Sequence, residues 1–293
     1  MKIAIIGSTG LLGSNLCELY KEHDVKSFSR RLNKNHSNNH ELDFNNVELE
    51  LREYFDNWSP NIIINCIALV NLQECENNLS LARKTNCDIA VSLAQVAKDF
   101  NSYYIHISTD HYFNDNKKIH NETAEIKILN NYALTKYEAE NKVLEKNSNS
   151  LVVRTNIIGF RRSDKESFFE WLLNSLTNKD NISLFTNFYT SPICVNLLGE
   201  ILLKCYNNKL NGVYNIASSE LINKYDFGLK TAQKFGLNFD NVNKSLIENK
   251  KGSLNRALTL GLDISKVQKD LGISMPTIDD TLNSLHNEFL KGR

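Results

Sequence analysis

Tyr132 and Lys136 stand four residues apart in the segment Tyr132-Ala133-Leu134-Thr135-Lys136. On a helix, residues i and i+4 share a face, so the phenol and the ammonium can lie side by side. A fixed positive charge favours the phenolate and draws its pKa down from about 10 toward neutrality, which suits a tyrosine that must give or take a proton. The spacing alone is a frequent accident in a chain with eleven tyrosines. Its place in the chain carries the signal. One strand earlier, Ser108-Thr109 closes an apolar run, at the strand end where open α/β sheets bind their ligands. The hydroxyl of Thr109, or that of Ser108, is therefore placed to hydrogen-bond the oxygen that Tyr132 serves.

A second constellation lies at the start, in Ile3-Ala4-Ile5-Ile6-Gly7-Ser8-Thr9-Gly10-Leu11-Leu12-Gly13. An apolar strand runs into a G-x-x-G-x-x-G turn and then into a helix. Gly7 permits the tight turn, Gly10 lets backbone approach a pyrophosphate, and Gly13 lets the helix pack close to the sheet, while the helix N-terminus offers free N–H groups to phosphate. A glycine triplet is weak by itself; the strand before it and the helix after it make it a dinucleotide turn. The second strand ends in Ser27-Phe28-Ser29-Arg30-Arg31 with no carboxylate to accept from a ribose 2′-OH. The hydroxyl of Ser29 with the guanidiniums of Arg30 and Arg31 makes a clamp for a 2′-phosphate. NADPH is the expected cofactor, with NADH the alternative.

The elements that must position these groups follow from alternation. Strands are expected at Ile3–Ile6, Val25–Phe28, Ile62–Ala68, Tyr104–Ser108 and Leu151–Thr155. Helices are expected at Leu11–Glu22, Leu79–Phe100 and Asn131–Lys146. Between the second strand and Ile62, the Asn/His/Lys-rich stretch Asn33–Asn46 reads as a solvated loop around a short strand near Leu42. This pattern predicts a Rossmann-type, doubly wound parallel α/β sheet. Past Asn156 the alternation loosens into helices near Glu166–Asn178, Val195–Asn207 and Tyr225–Phe235 and one starting near Thr277, with strands at Ile182–Leu184 and Val213–Ile216. The expected organisation is a dinucleotide-binding domain over residues 1–156, with later strands from about 190–218. A smaller, interleaved substrate-binding lobe covers 157–293.

Composition narrows the function. The 293 residues carry 34 Lys+Arg against 34 Asp+Glu, so there is no concentrated positive field for nucleic acid or an anionic membrane. The N-terminal apolar run is too short for a signal peptide and no stretch reaches transmembrane length. Six scattered cysteines without a C-x-x-C pair read as reduced, buried small hydrophobes, Cys66 among them. A cytoplasmic protein without nucleic-acid or membrane partners is the expectation.

With these pieces in place the chain resembles the extended short-chain dehydrogenase/reductases, and within them the dTDP-4-dehydrorhamnose reductase group of nucleotide-sugar 4-ketoreductases. The matching segments, in order, are Gly7–Gly13, Asn65-Cys66-Ile67-Ala68, Lys84-Thr85-Asn86, His106-Ile107-Ser108-Thr109-Asp110, Asn130, Tyr132, Thr135-Lys136, Glu140, Val153-Arg154-Thr155 and Tyr189-Thr190-Ser191-Pro192. The resemblance implies Thr109, Tyr132 and Lys136 as the catalytic set. It implies a cofactor site of Gly7, Thr9, Gly10, Leu11, Leu12, Gly13, Ser29, Arg30, Arg31, Cys66, Ala68, Ser108, Tyr132 and Lys136, with Asp43 and Phe44 near the adenine and Asn86 in support. It implies a substrate set of Asp110, His111, Asn156, Tyr189 and Ser191. The implied reaction is hydride transfer from NAD(P)H to the C4 carbonyl of a nucleotide-diphosphate-linked 4-keto-6-deoxy sugar, in deoxysugar and surface polysaccharide synthesis. Extended members often dimerise through helices beside the active site, which leaves a homodimer open.

Three departures stand out: His111 replaces the usual aromatic Tyr, Asn156-Ile157-Ile158-Gly159 lacks a frequent Trp, and Ile128 replaces a Pro ahead of Leu129-Asn130. The first two bear on which sugar is used rather than on the chemistry. The acidic residues that bind magnesium between subunits in some members have no clear match, so no metal is expected. His36 and His40 read as solvated loop side chains rather than a metal pair, and His106 as a satisfied core histidine. His111 stays between substrate contact and packing. Thr277 and Asp280 read as a helix-capping pair. Two rivals remain: a non-catalytic NADP-binding regulatory subunit, and a nucleotide-sugar epimerase or dehydratase on the same fold. The latter is disfavoured because Thr109 is followed by Asp110-His111 and not by an Asp-Glu pair.

Overall fold

Four apolar runs form the middle of one sheet, and a computed structural model shows how the chain threads it. The model describes residues 1–32, 38–113, 119–161, 165–248 and 257–292. The elements are β1 (Lys2–Ile6), α1 (Leu11–Leu19), β2 (Asp24–Ser29), β3 (Asn39–Glu41), α2 (Val47–Phe55), β4 (Ile62–Asn65), α3 (Leu72–Asn77), α4 (Leu79–Arg83), a π-helical turn (Lys84–Asp88), α5 (Ile89–Asp99), β5 (Tyr103–Ile107), β6 (Ile119–His120), α6 (Asn131–Lys146), β7 (Ser150–Arg154) and β8 (Ile157–Ile158). They continue with α7 (Phe168–Asn178), β9 (Ile182–Phe185), β10 (Tyr189–Thr190), β11 (Ile193–Cys194), α8 (Val195–Asn207), β12 (Gly212–Asn215), β13 (Ile222–Asn223), α9 (Lys224–Phe235), β14 (Val242–Ser245), β15 (Thr259–Leu262), α10 (Ser265–Leu271) and α11 (Ile278–Leu290).

The chain divides into two units. The first comprises Met1–Thr109, Asn130–Arg154 and Leu202–Tyr214. Its seven-stranded sheet has the order β12-β7-β5-β4-β1-β2-β3, and the pairs β3–β2, β2–β1, β1–β4, β4–β5 and β5–β7 are parallel. Strands β4, β5 and β7 are buried at every position, the pattern of strands covered by helices on both faces. The chain winds outward from β1 through β2 and β3, then crosses back to β4. That reversal between β1 and β4 is the switch point at which sheets of this type bind ligands, beyond the strand ends.

The second unit comprises Asp110–Leu129, Thr155–Ile201 and Asn215–Arg293. It holds a four-stranded sheet, β13-β10-β15-β6, and the strand pairs β11–β8 and β14–β9. Its core joins Phe160, Phe169, Leu172, Phe227 and Leu282. Helix α11 starts with the expected cap: Asp280 N–H donates to Thr277 Oγ1 at 3.0 Å and Thr277 N–H to Asp280 Oδ2 at 2.9 Å. Ser167 and Glu170 cap α7 in the same reciprocal way.

Several expectations change. Residues 110–129, assigned by sequence to the dinucleotide domain, belong to the second unit. Of the strands expected around 190–218, only β12 joins the large sheet. The single helix expected over Leu79–Phe100 is broken into α4, the π turn and α5, because the polar Asn86 is held inward by contacts described below. The strand of the Asn-rich stretch lies at Asn39–Glu41, one residue before Leu42, and α2 follows it unannounced with Val47, Leu51 and Phe55 buried at helical spacing. His40 is not a solvated loop residue: it sits on β3, its Nε2 lies 2.8 Å from the Tyr54 hydroxyl, and its ring packs 5.3 Å from that of Phe28. His36 lies outside the described residues.

Candidate active site

The dinucleotide turn is built as its glycines require. Gly7 has φ of +91°, and a Cβ there would stand 3.0 Å from Cys66 C and Ile67 N, the backbone leaving β4. Gly13 is the tightest of the three, since its Cβ would lie 2.4 Å from the Gly7 carbonyl oxygen. At Gly10 the nearest atom would be 3.4 Å away, an ordinary contact. The protein itself therefore has room for a side chain at Gly10. What that glycine keeps open is space above the turn, where the first N–H groups of α1 have no side-chain cap and no acidic neighbour in the first turn. This is the environment a pyrophosphate needs, and a dinucleotide fits it. Thr9 is exposed, Leu11 half-buried and Leu12 buried at this turn.

At the end of β2, Ser29 is buried and donates its hydroxyl proton to the Arg31 carbonyl at 2.6 Å. What the loop presents outward is Arg30 and Arg31, with the Arg30 guanidinium 5.4 Å from the centre of the Phe44 ring. The Asp43 carboxylate accepts from Asn45 N–H (2.9 Å), Asn45 Nδ2 (2.8 Å) and Asn46 Nδ2 (3.0 Å), which shapes the turn into α2. Arg30, Asp43 and Phe44 line one cavity of about 530 Å³ together with Lys84. A cationic, aromatic-walled hollow of this kind suits the adenosine end of a phosphorylated dinucleotide.

The catalytic candidates lie on α6 and at the end of β5. Asn130 caps α6 by accepting from Ala133 N–H at 2.9 Å, which puts Tyr132 in the first turn, at the helix end that favours developing negative charge. Tyr132 is buried against Cys75 and Ala82. Lys136, 1% exposed, donates to the Ile107 carbonyl at 2.7 Å and lies 3.3 Å from His106 Nε2. Burial pushes its ammonium down to about 8, against the opposing pull of Glu140 one turn further on. Glu140 is clamped by Arg154, whose Nη2 lies 2.7 Å from Oε2, and it accepts the Ser108 hydroxyl at 2.6 Å. Ser108 is thus committed to the Glu140–Arg154 pair. Thr109, the other hydroxyl left open by the sequence, is buried as well.

Asn86 works at one remove. The π turn directs its side chain at the loop after β4, where Oδ1 accepts from Leu69 N–H at 2.7 Å and Nδ2 donates to the Leu69 carbonyl at 3.2 Å. A third bond from Nδ2 reaches Thr135 Oγ1 at 3.1 Å. The loop carrying half-buried Cys66 and Ala68 is thereby tied to α6. Cys66 is half-buried rather than buried as expected, and desolvation pushes its thiol far up, which disfavours a nucleophilic role.

In the second unit, Asp110 is 1% exposed and accepts from Asn156 Nδ2 at 2.8 Å; His111 Nε2 lies 3.9 Å from Asp110 Oδ1. Tyr189 is half-buried and Ser191 buried around β10. Sequence reading missed Lys224 in this unit. Its Nζ stands 4.2 Å from the centre of the Phe168 ring and 5.6 Å from that of Phe188. Burial pushes the ammonium down to about 8, with Asp110 pulling the other way. The one local signal is the Asn223 cap ahead of it. Among the described residues no group of three or more His, Cys, Asp or Glu side chains is placed to hold a metal ion, and no helix is long and apolar enough to cross a membrane.

A doubly wound sheet, a glycine turn at its switch point and a Tyr–Lys pair on α6 define an oxidoreductase of the extended short-chain dehydrogenase/reductase class. The family model described as the RmlD substrate binding domain matches residues 1–291, and the chain belongs to that family. It is similar to the probable low-salt glycan biosynthesis reductase Agl14 of Haloferax volcanii, 26% identical over 292 residues that cover 97% of each chain. It is also 25% identical over 283 residues to the methionine adenosyltransferase 2 subunit beta of Xenopus laevis, covering 93% of this chain and 83% of the other. The crystal structure of dTDP-4-dehydrorhamnose reductase from Bacillus anthracis in complex with NADP superposes with a TM-score of 0.86 at 22% identity, covering 98% of this chain and 99% of that one.

Proposed function

We propose that this protein is an NADPH-dependent reductase of the C4 ketone of a nucleotide-linked 4-keto-6-deoxy sugar, acting in the cytoplasm in the synthesis of a deoxysugar for surface polysaccharide. The observation that carries this reading is the packing of Lys136 against the Ile107 carbonyl at 2.7 Å, which joins the helix bearing Tyr132 to the strand end bearing Thr109. The bound nicotinamide supplies a hydride to the carbonyl carbon. Thr109 orients the carbonyl by donating to its oxygen. As that oxygen becomes an alkoxide, Tyr132 gives it the phenolic proton, and the first turn of α6 favours the tyrosinate left behind. Arg30 and Arg31 select the 2′-phosphate.

The rival reading, a regulatory NADP-binding subunit, draws support from the similarity to a methionine adenosyltransferase 2 subunit beta. The separating experiment is NADPH oxidation with a dTDP-4-keto-6-deoxyhexose, comparing the wild type with Tyr132→Phe. The expected result is turnover in the wild type and its loss in the variant, with NADPH binding intact in both. Tight NADPH binding with no turnover across a panel of nucleotide-linked keto sugars would favour the regulatory subunit.

A further inference from the structure

The first turn of α6 carries Tyr132 between two anchored peptide N–H groups. Ala133 N–H is taken by the Asn130 cap, a partner local to the turn. Asn131 N–H, the one just before Tyr132, is taken by Glu76 Oε1 at 2.6 Å, from a residue 55 positions earlier on α3. A helix leaves its first N–H groups without an internal partner, and a carboxylate is favoured at that positive end. The same short helix reaches Tyr132 a second way, since the tyrosine side chain is buried against Cys75, the neighbour of Glu76. Helix α3 is itself fixed. Cys75 Sγ donates at 3.3 Å to the Leu69 carbonyl, which also accepts from Asn86 Nδ2. From Asn86 the bonds run on to Thr135 Oγ1, which donates to the Asn131 carbonyl at 2.9 Å. Glu76, Asn131, Thr135, Asn86, Leu69 and Cys75 thus close a ring that includes the turn bearing Tyr132.

We propose that Glu76 is a positioning residue for Tyr132: by holding Asn131 N–H it fixes the first turn of α6 against α3, and so sets where the phenol stands. The other bonds of the ring do not do this by themselves. Thr135 Oγ1 donates to carbonyls of its own helix, Asn131 and Tyr132, which move with it. The Asn86 bond meets α6 only at Thr135, past the tyrosine. A second link, from Asn131 Nδ2 to the Cys75 carbonyl, is long at 3.4 Å. The Glu76 bond is short and charge-assisted, and it grips the residue beside Tyr132. Misplacing a reacting group by about 1 Å costs a rate of order 100-fold, so a tie at this point governs turnover without touching substrate. The inference deepens the ketoreductase reading and rests on it for the tyrosine's task, not for the tie.

One arm of the test needs no substrate, so its failure and that of the ketoreductase reading are distinguishable. In the full chain with tyrosine labelled with 13C at Cζ, the Tyr132 signal is assigned by its loss in Tyr132→Phe. Glu76→Leu removes the acceptor. Asn131→Pro removes the N–H and suits the first position of a helix, after an Asn130 that is already extended. Each is expected to move the Tyr132 signal and leave the tyrosines outside α6 in place. Glu76→Gln keeps an accepting oxygen and is expected to return the signal toward its wild-type position. With a dTDP-4-keto-6-deoxyhexose, kcat per NADPH-binding site should fall about tenfold or more in Glu76→Leu while KM stays within about twofold, and Glu76→Gln should recover most of the loss. An unmoved Tyr132 signal in either folded variant overturns the proposal, as do shifts spread over all tyrosines, an unchanged kcat, or equal losses in Glu76→Gln and Glu76→Leu. A wild type that turns over no keto sugar removes the ketoreductase reading, and the tyrosine spectrum still decides the role of Glu76. If neither Glu76→Leu nor Asn131→Pro folds, hydrogen exchange at the Asn131 amide of the wild type decides it: protection is expected, and free exchange overturns it.

Discussion

Replacing Lys136 with methionine should stabilise the protein near neutral pH while abolishing turnover, and the gain should disappear at high pH. Lys136 is 1% exposed, and burial lowers its ammonium from 10.5 to about 8. At about 1.4 kcal/mol per pH unit that gap is about 3 kcal/mol. Below pH 8 the lysine is charged in both folded and unfolded chains, so the folded state bears the whole cost of the buried charge. Between pH 8 and 10.5 the unfolded chain binds more protons than the folded one, so wild-type stability rises with pH; above that range the cost is gone. Methionine keeps a similar volume without the charge. The advantage of Lys136→Met over the wild type is therefore expected to shrink by about 3 kcal/mol between about pH 7 and pH 11. Urea unfolding in a Trp171→Phe background measures it, because Trp58 is the other of the chain's two tryptophans and shares a unit with Lys136. A stability difference flat across that range would refute the reasoning.

Four further outcomes are expected. Gly10→Ala should leave thermal stability near the wild-type value yet weaken NADPH binding in a fluorescence titration. Gly13→Ala should lose both, with overpacking against the Gly7 carbonyl costing about 1–3 kcal/mol. Glu140→Leu leaves a buried Arg154 unmatched and should cost about 3–5 kcal/mol in chemical denaturation, most of which Glu140→Leu with Arg154→Met together should restore. Arg30→Ala should raise the Kd for NADPH by a larger factor than the Kd for NADH, and equal losses would remove Arg30 from the 2′-phosphate clamp.

Much of the fold was legible in the chain. Continuous β-branched runs such as Ile62–Asn65 announce strands covered on both faces, and the boundaries of α6 and α8 match their sequence pattern residue for residue. The glycine turn, the Tyr132–Lys136 pair and the Thr277 cap are all readable because each depends on neighbours within a turn or two. Helix α2 escaped because it follows an Asn-rich stretch that masks its short Val47–Leu51–Phe55 stripe. The break at Lys84–Asp88 escaped because its cause, the Leu69 peptide bound by Asn86, lies 17 residues away.

The site divides along the same line. Residue type and local spacing determined that a dinucleotide turn, a phenol and an amine would occur in the right order. Strand order and register alone decided what surrounds them. The pairing of β4 with β5 sets Asn65 opposite His106, and the packing of α6 against β5 brings Lys136 to that histidine. The Glu140–Arg154 pair takes the Ser108 hydroxyl. On the second unit, Lys224 meets Phe168 across 56 positions of chain. A sequence pattern carries the interactions of residues that a helix turn or a strand pleat keeps adjacent. A lysine's burial and hydrogen-bond partners come from segments far apart in the chain, and only the folded packing brings those together.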